Sequence, residues 1–152
     1  MSRIPENEIY CCEIRWFGVD KNGYIFCCTA GGTPNIPEFV CCDSYENWFL
    51  EGFFVFEFNK KTEVENFQSI GPELNLKGIT TFDIVLQYLF DPESKREFND
   101  HKYEYKKVAQ PTELLHFDQL PKYVQKMMDS HRMNNVDVTK TDYFFVPANP
   151  NY

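Results

Sequence analysis

Six cysteines arrive as three adjacent pairs, Cys11-Cys12, Cys27-Cys28 and Cys41-Cys42. They are the side chains with the widest chemical reach, since a thiolate can ligate zinc, attack an electrophile or enter a disulfide. Each use sets a geometric demand. Structural zinc needs four converging ligands, sulfur at about 2.3 Å, and its usual knuckle separates two cysteines by two to four residues. No such knuckle is present. A cysteine nucleophile needs a histidine base and a group that orients it. The histidines, His101, His116 and His131, stand in no local signature with a cysteine. On strands, neighbouring residues point to opposite faces, so each pair would send one sulfur inward and one outward. The thiols are therefore expected to be reduced, compact apolar fillers. A metal- or thiol-dependent enzyme built on the pairs is the alternative.

Two further patterns fall short of the chemistry they hint at. Asp20, Asn22 and Gly23 open like a calcium loop, but the twelfth position from Asp20 is Gly31, where a bidentate glutamate is needed. Gly31-Gly32-Thr33 lacks the lysine of a phosphate-binding loop. The first reads as a hairpin turn and the second as a stiff connection. No catalytic residue, cofactor or metal ligand is assigned.

The elements that must position these residues centre on 16–40. Positions 9–17 are predicted to form a first strand, with Tyr10, Cys12, Ile14 and Trp16 on its inward face. Asn22-Gly23 tolerates the positive φ of a tight turn. The returning strand, 24–29, is apolar on both faces, as an interior strand would be. Positions 30–37 form a Gly- and Pro-rich loop and 38–42 a short extended piece. Asp43 is the expected cap of a helix over 44–55, with Glu46 three residues on. Tyr45, Trp48, Phe49, Gly52, Phe53 and Phe56 recur at helical spacing and are expected to pack on the core; the alternative is that Tyr45, Trp48 and Phe49, flanked by Glu46 and Glu51, form a protein-binding face.

Downstream, 60–71 is polar, and 79–90 fits either a strand or a helix. Positions 92–100 read as a charged, exposed excursion. A strand over 102–110 stops at Pro111, and 114–117 is extended. Asp118 is expected to cap a helix whose stripe is Leu120, Val124, Met127 and Met128, ending at Asn134-Asn135. A last strand covers 143–146. These elements predict one α+β domain over 1–152, a mostly antiparallel sheet with two or three helices packed on it.

A chain of 152 residues with 43% apolar and 17% aromatic content can bury a core without staples. Its net charge of −8 is unevenly spread: positions 1–58 hold nine acids against three bases. That balance argues against nucleic acid and anionic membranes, and suits a basic protein partner. No apolar run approaches the ~18 residues of a membrane span. The opening MSRIPENEIY has no apolar signal region, so a cytoplasmic protein is expected.

Trp16-Phe17, Asp20 with Gly23 and Ile25, Gly31-Gly32, and Pro37 with Val40 together resemble a pattern of widespread uncharacterised small bacterial proteins. A looser match continues through Gly78-Ile79, the segment from Tyr105 through Val108-Ala109 to Pro111, and Leu120-Pro121. Some members of that set resemble immunity proteins of toxin systems. The resemblance carries no catalytic residue. Together with the charge, it implies a non-catalytic cytosolic protein-binding protein, an immunity protein occluding a basic toxin, as a monomer or weak dimer. The candidate partner-binding residues are Asp20, Glu38, Asp43, Tyr45, Glu46, Trp48 and Glu51.

Overall fold

The computed structural model describes residues 2–58, 76–86 and 101–152. Strand β1 (Arg15–Val19) turns through 20–24 into β2 (Ile25–Thr29). Gly23 takes φ +89° there, as the Asn-Gly pair predicts. β3 (Thr80–Ile84) lies parallel beside β2. β4 (Glu104–Ala109) and β5 (Tyr143–Phe145) follow antiparallel, so the five strands lie in chain order. The α+β expectation holds, with one parallel pair in the sheet. A parallel pair needs a long crossover, and the described part of that connection carries two α-helices.

Those helices are α2 (Glu38–Cys41) and α3 (Ser44–Gly52), the latter running on into a π-helical stretch, Phe53–Glu57. α1 (Glu6–Cys11) precedes the sheet, and α4 (Lys122–Met128) lies between 3-10 turns at Phe117–Gln119 and Asp129–His131.

Alternation along β1 and β2 divides the interior in two. Trp16, Phe26 and Cys28 enter one core with Phe82, Tyr105, Phe144 and Val40. Phe17, Ile25 and Cys27 enter the other with Leu50, Phe54, Val124 and Met128. In the first core the buried Trp16 Nε1–H donates to the Tyr105 hydroxyl at 3.1 Å. That hydroxyl donates onward to the Asn35 carbonyl at 2.6 Å. The polar tips of two large rings are thus satisfied inside an apolar cluster, which avoids the desolvation cost of burying them unpaired.

The outer edge of β1 is covered. Met133 N–H donates to the Val19 carbonyl at 2.8 Å, and Lys21 N–H to the Val136 carbonyl at 2.9 Å. The extended piece expected over 114–117 pairs Tyr24 with His116.

Several expectations are corrected. The strand predicted over 9–17 starts at Arg15; 6–11 is helical, entered from Pro5 with Glu6 and Glu8 in the first turn, where acids favour a helix N-terminus. Ile9 is its one buried residue. The piece expected to be extended over 38–42 is α2, entered from Pro37 and burying Val40 and Cys41. Only Cys27-Cys28 therefore lies on a strand, and both faces of that strand are interior. Cys11 and Cys12 are exposed at the end of α1.

The predicted 44–55 helix stops as α-helix at Gly52. The 79–90 ambiguity resolves to strand over 80–84, while 87–90, the whole 60–71 segment and the 92–100 excursion lie outside the described residues. Asp118 does not cap α4. Its own N–H donates to His116 Nδ1 at 3.1 Å, so His116 caps the short 3-10 turn, and α4 starts after Pro121. The expected end at 134–135 comes earlier, at Met128.

Gly18 pairs across the hairpin with Phe26. A Cβ there would lie 2.3 Å from Phe26 Cζ, so the Phe26 ring occupies the space that the glycine leaves. Gly18→Ala should lower stability by about 1–3 kcal/mol through overpacking. Urea denaturation checks this; an unchanged midpoint would remove the close approach from the account.

Candidate functional site

Helix α3 starts where its sequence says it should. The Asp43 carboxylate accepts from the Tyr45 and Glu46 amides, each at 3.2 Å, filling two of the four donors a helix N-terminus leaves open. The helix seats Leu50 on the second core, followed by Phe53 and Phe54. Asn47 points the same way and donates to the Arg15 carbonyl at 3.1 Å.

With that inner face committed, the rest of the aromatic stripe expected in the core faces outward instead, Phe53 alone of that stripe entering it. Tyr45 is 71% exposed, Trp48 76% and Phe56 63%, with Phe49 partly exposed beside them. Two apolar stripes run along this segment, and helical periodicity alone does not say which one meets the sheet. Tyr123, exposed on α4, lies 6.2 Å from Phe49 and 6.3 Å from Phe53, ring to ring, and extends the patch onto a second helix. Singly exposed apolar residues are ordinary, but a contiguous patch is a sign of an interaction surface.

A cleft of about 400 Å³ opens where α3 passes into its π-helical end. Trp48, Phe49, Phe53 and Phe56 give it aromatic walls, Glu51 and Glu57 carry its carboxylates, and Gly52 lies between them. The wider turn is marked by Phe58 N–H donating to the Phe53 carbonyl at 2.7 Å. Such π-turns occur often at functional sites. From 38 to 58 the chain holds five acids and no Lys, Arg or His. Burial pushes the Glu51 carboxyl above its ordinary value, and the positive charge of Arg15 pulls it part of the way back.

The structure separates the seven candidates. Tyr45, Trp48 and the half-buried Glu51 belong to the outer face. Asp43 is the cap. Glu46 turns toward the sheet, its carboxylate 3.1 Å from Nε2 of the buried His131. His131 Nδ1 lies 2.8 Å from the Phe17 carbonyl; a carbonyl only accepts, so Nδ1 carries a proton.

Asp20 is 2% exposed and lies inside the hairpin. It accepts from the Asn22 and Tyr24 amides and, across the edge of β1, from Val138 N–H at 2.9 Å. Glu38 faces the chain ends: it pairs with Arg3, and Asn149 and Asn151 donate to it at 2.7 and 3.2 Å. The residues missed by sequence reasoning are Phe56, Glu57, Gly52 and Tyr123. The absence of bases from 38 to 58 was the available signal.

Among the described residues, no three His, Cys, Asp or Glu side chains gather to hold a metal ion. Burial raises the Cys41 thiol to about 11 and the Cys28 thiol well above its ordinary value, which disfavours the reactive thiolate. No described helix is long and apolar enough to cross a membrane.

Two consequences are measurable. Asp20→Ala strands three amides and should cost about 1–3 kcal/mol in urea denaturation; wild-type stability would contradict the pinning role. Hydrogen bonds from Arg3 first, then Asn149, hold the Glu38 carboxyl down at about 2. A depressed folded value makes the contribution of this clamp complete above the unfolded value of 4.5 and lost as pH falls through about 2. Carboxyl NMR should show the low midpoint, and Arg3→Ala should return it to the ordinary carboxylate range.

Compared with known proteins, the chain matches no family model, no curated protein and no solved structure.

Proposed function

We propose that this chain is a non-catalytic protein-binding protein that docks a basic partner on the outer face of α3, acting in the cytoplasm as an immunity protein that occludes a cationic toxin. The observation that carries the reading is Trp48, 76% exposed within a stripe that includes Tyr45, Phe49 and Phe56. Large aromatic anchors supply most of the energy at protein interfaces. Glu51 and Glu57 flank them, and 38–58 holds no Lys, Arg or His, so a positively charged surface would be drawn in and oriented. The resemblance read from the sequence, to small bacterial proteins some of which resemble immunity proteins, is in keeping with the same reading. Lys122 and Lys126 beside Tyr123 mark the α4 side as the less acidic margin.

Capture of the protein encoded by the adjacent gene tests this. Trp48→Ala should weaken binding at least ~30-fold, equivalent to a hot spot of about 2 kcal/mol. Raising ionic strength from about 0.1 M to about 1 M should slow association. Capture indifferent to both changes would refute the proposed face.

A further inference from the structure

We propose that the cleft at the end of α3 receives the guanidinium group of a partner's arginine side chain. This rests on the protein-binding reading and names what the partner inserts. Four aromatic side chains, Trp48, Phe49, Phe53 and Phe56, wall the cleft, and Glu51 and Glu57 supply its negative charge. A planar cation gains from both at once, stacking on a ring while it pairs with a carboxylate. At about 400 Å³ the cleft falls in the lower part of the range for ligand-binding sites.

Gly52 is the second observation. Its backbone is ordinary right-handed helix, φ −59° and ψ −42°. A Cβ built on it meets nothing within 4 Å. Neither conformation nor packing demands glycine, although glycine in a helix costs about 1 kcal/mol relative to alanine. What it does is keep the cleft floor clear. The π-helical stretch that follows places Phe56 and Glu57 at the rim.

The charge selects the occupant. Among the described residues, neither Glu51 nor Glu57 has an ion-pair partner. An apolar side chain seated there would desolvate Glu51 further with only the pull of Arg15 to offset it, and an acidic one would be repelled. A cation restores to Glu51 the stabilisation that burial has removed. Arginine suits the site better than lysine, because its guanidinium is planar and more weakly hydrated.

Tri-arginine amide, tri-lysine amide and tri-citrulline amide are the probes, the last matching arginine in shape without its charge. The readout is the indole N–H signal of each tryptophan by NMR. The exposed Trp48 reports the cleft, and the buried Trp16 serves as control. Tri-arginine should shift the Trp48 signal saturably, tri-lysine more weakly, and tri-citrulline not at all.

Gly52→Leu fills the floor with a better helix former and should cut affinity at least tenfold while the Trp16 signal stays in place. Glu51→Gln should cut it several-fold. Equal binding of tri-citrulline, equal binding of tri-lysine, or full affinity in Gly52→Leu would overturn the assignment. Dimerisation abolished by Gly52→Leu, without any response to arginine, would assign the cleft to a second copy and overturn it as well.

Failure of this inference is distinguishable from failure of the broader reading. Partner capture lost in Trp48→Ala but kept in Gly52→Leu leaves the aromatic face standing and removes the arginine site. Saturable tri-arginine binding lost in Gly52→Leu, with no capture of the adjacent gene's product, retains the site and removes the proposed partner.

Discussion

A sheet whose first two strands bury both of their faces must be covered twice, and that constraint governs the arrangement of this molecule. Trp16 and Phe17 are neighbours in sequence and enter different cores, as do Phe26 and Cys27. One face takes α1, α2 and the segments around Val136 and Val146; the other takes α3, its π-helical end and α4. Because Leu50, Phe53 and Phe54 are spent on the second face, the remaining aromatics of α3 have no core left to enter. The exposed face is thus the remainder of a packing problem already solved elsewhere along the same helix.

Polar groups settle the details that apolar packing leaves open. The Trp16–Tyr105–Asn35 chain fixes how β1, β4 and the loop after β2 meet. Asp20 ties the hairpin to the 136–138 segment that closes the edge of β1. His131 is held between the Phe17 carbonyl and the Glu46 carboxylate, linking the sheet to the first turn of α3. Each is a contact between residues far apart in sequence, so each resists register slips that hydrophobic burial alone would permit.

Local chemistry was legible in the sequence wherever it decided the structure. Asn22-Gly23 identified the hairpin, Asp43 the start of α3, and the two-faced run after Tyr24 an interior strand. Misreadings came where two local codes compete. Alternation over 9–17 concealed the end of a short helix, since Ile9 is the only residue of 6–11 that is buried and one buried residue sets no period.

On α3 the helix itself was legible and its facing was not. Which of two apolar stripes meets a sheet depends on where the sheet lies, and no property of the helix alone encodes that. For the same reason the acidic candidates separated. Asp20, Glu38 and Glu46 look alike in sequence, yet their carboxylates serve a turn, a clamp between the chain ends and a buried imidazole.

The thiols follow the same two-core logic, with a kinetic consequence. Cys27 and Cys28 sit back to back on β2, one in each core, both without solvent contact, whereas Cys11 and Cys12 stand in water. An alkylating reagent would therefore meet one vicinal pair at once and each thiol of the other only when the core that covers it opens. The molecule carries two stopwatches for its own opening: slow labelling of Cys28 times the excursions that breach the first core, and that of Cys27 those that breach the second.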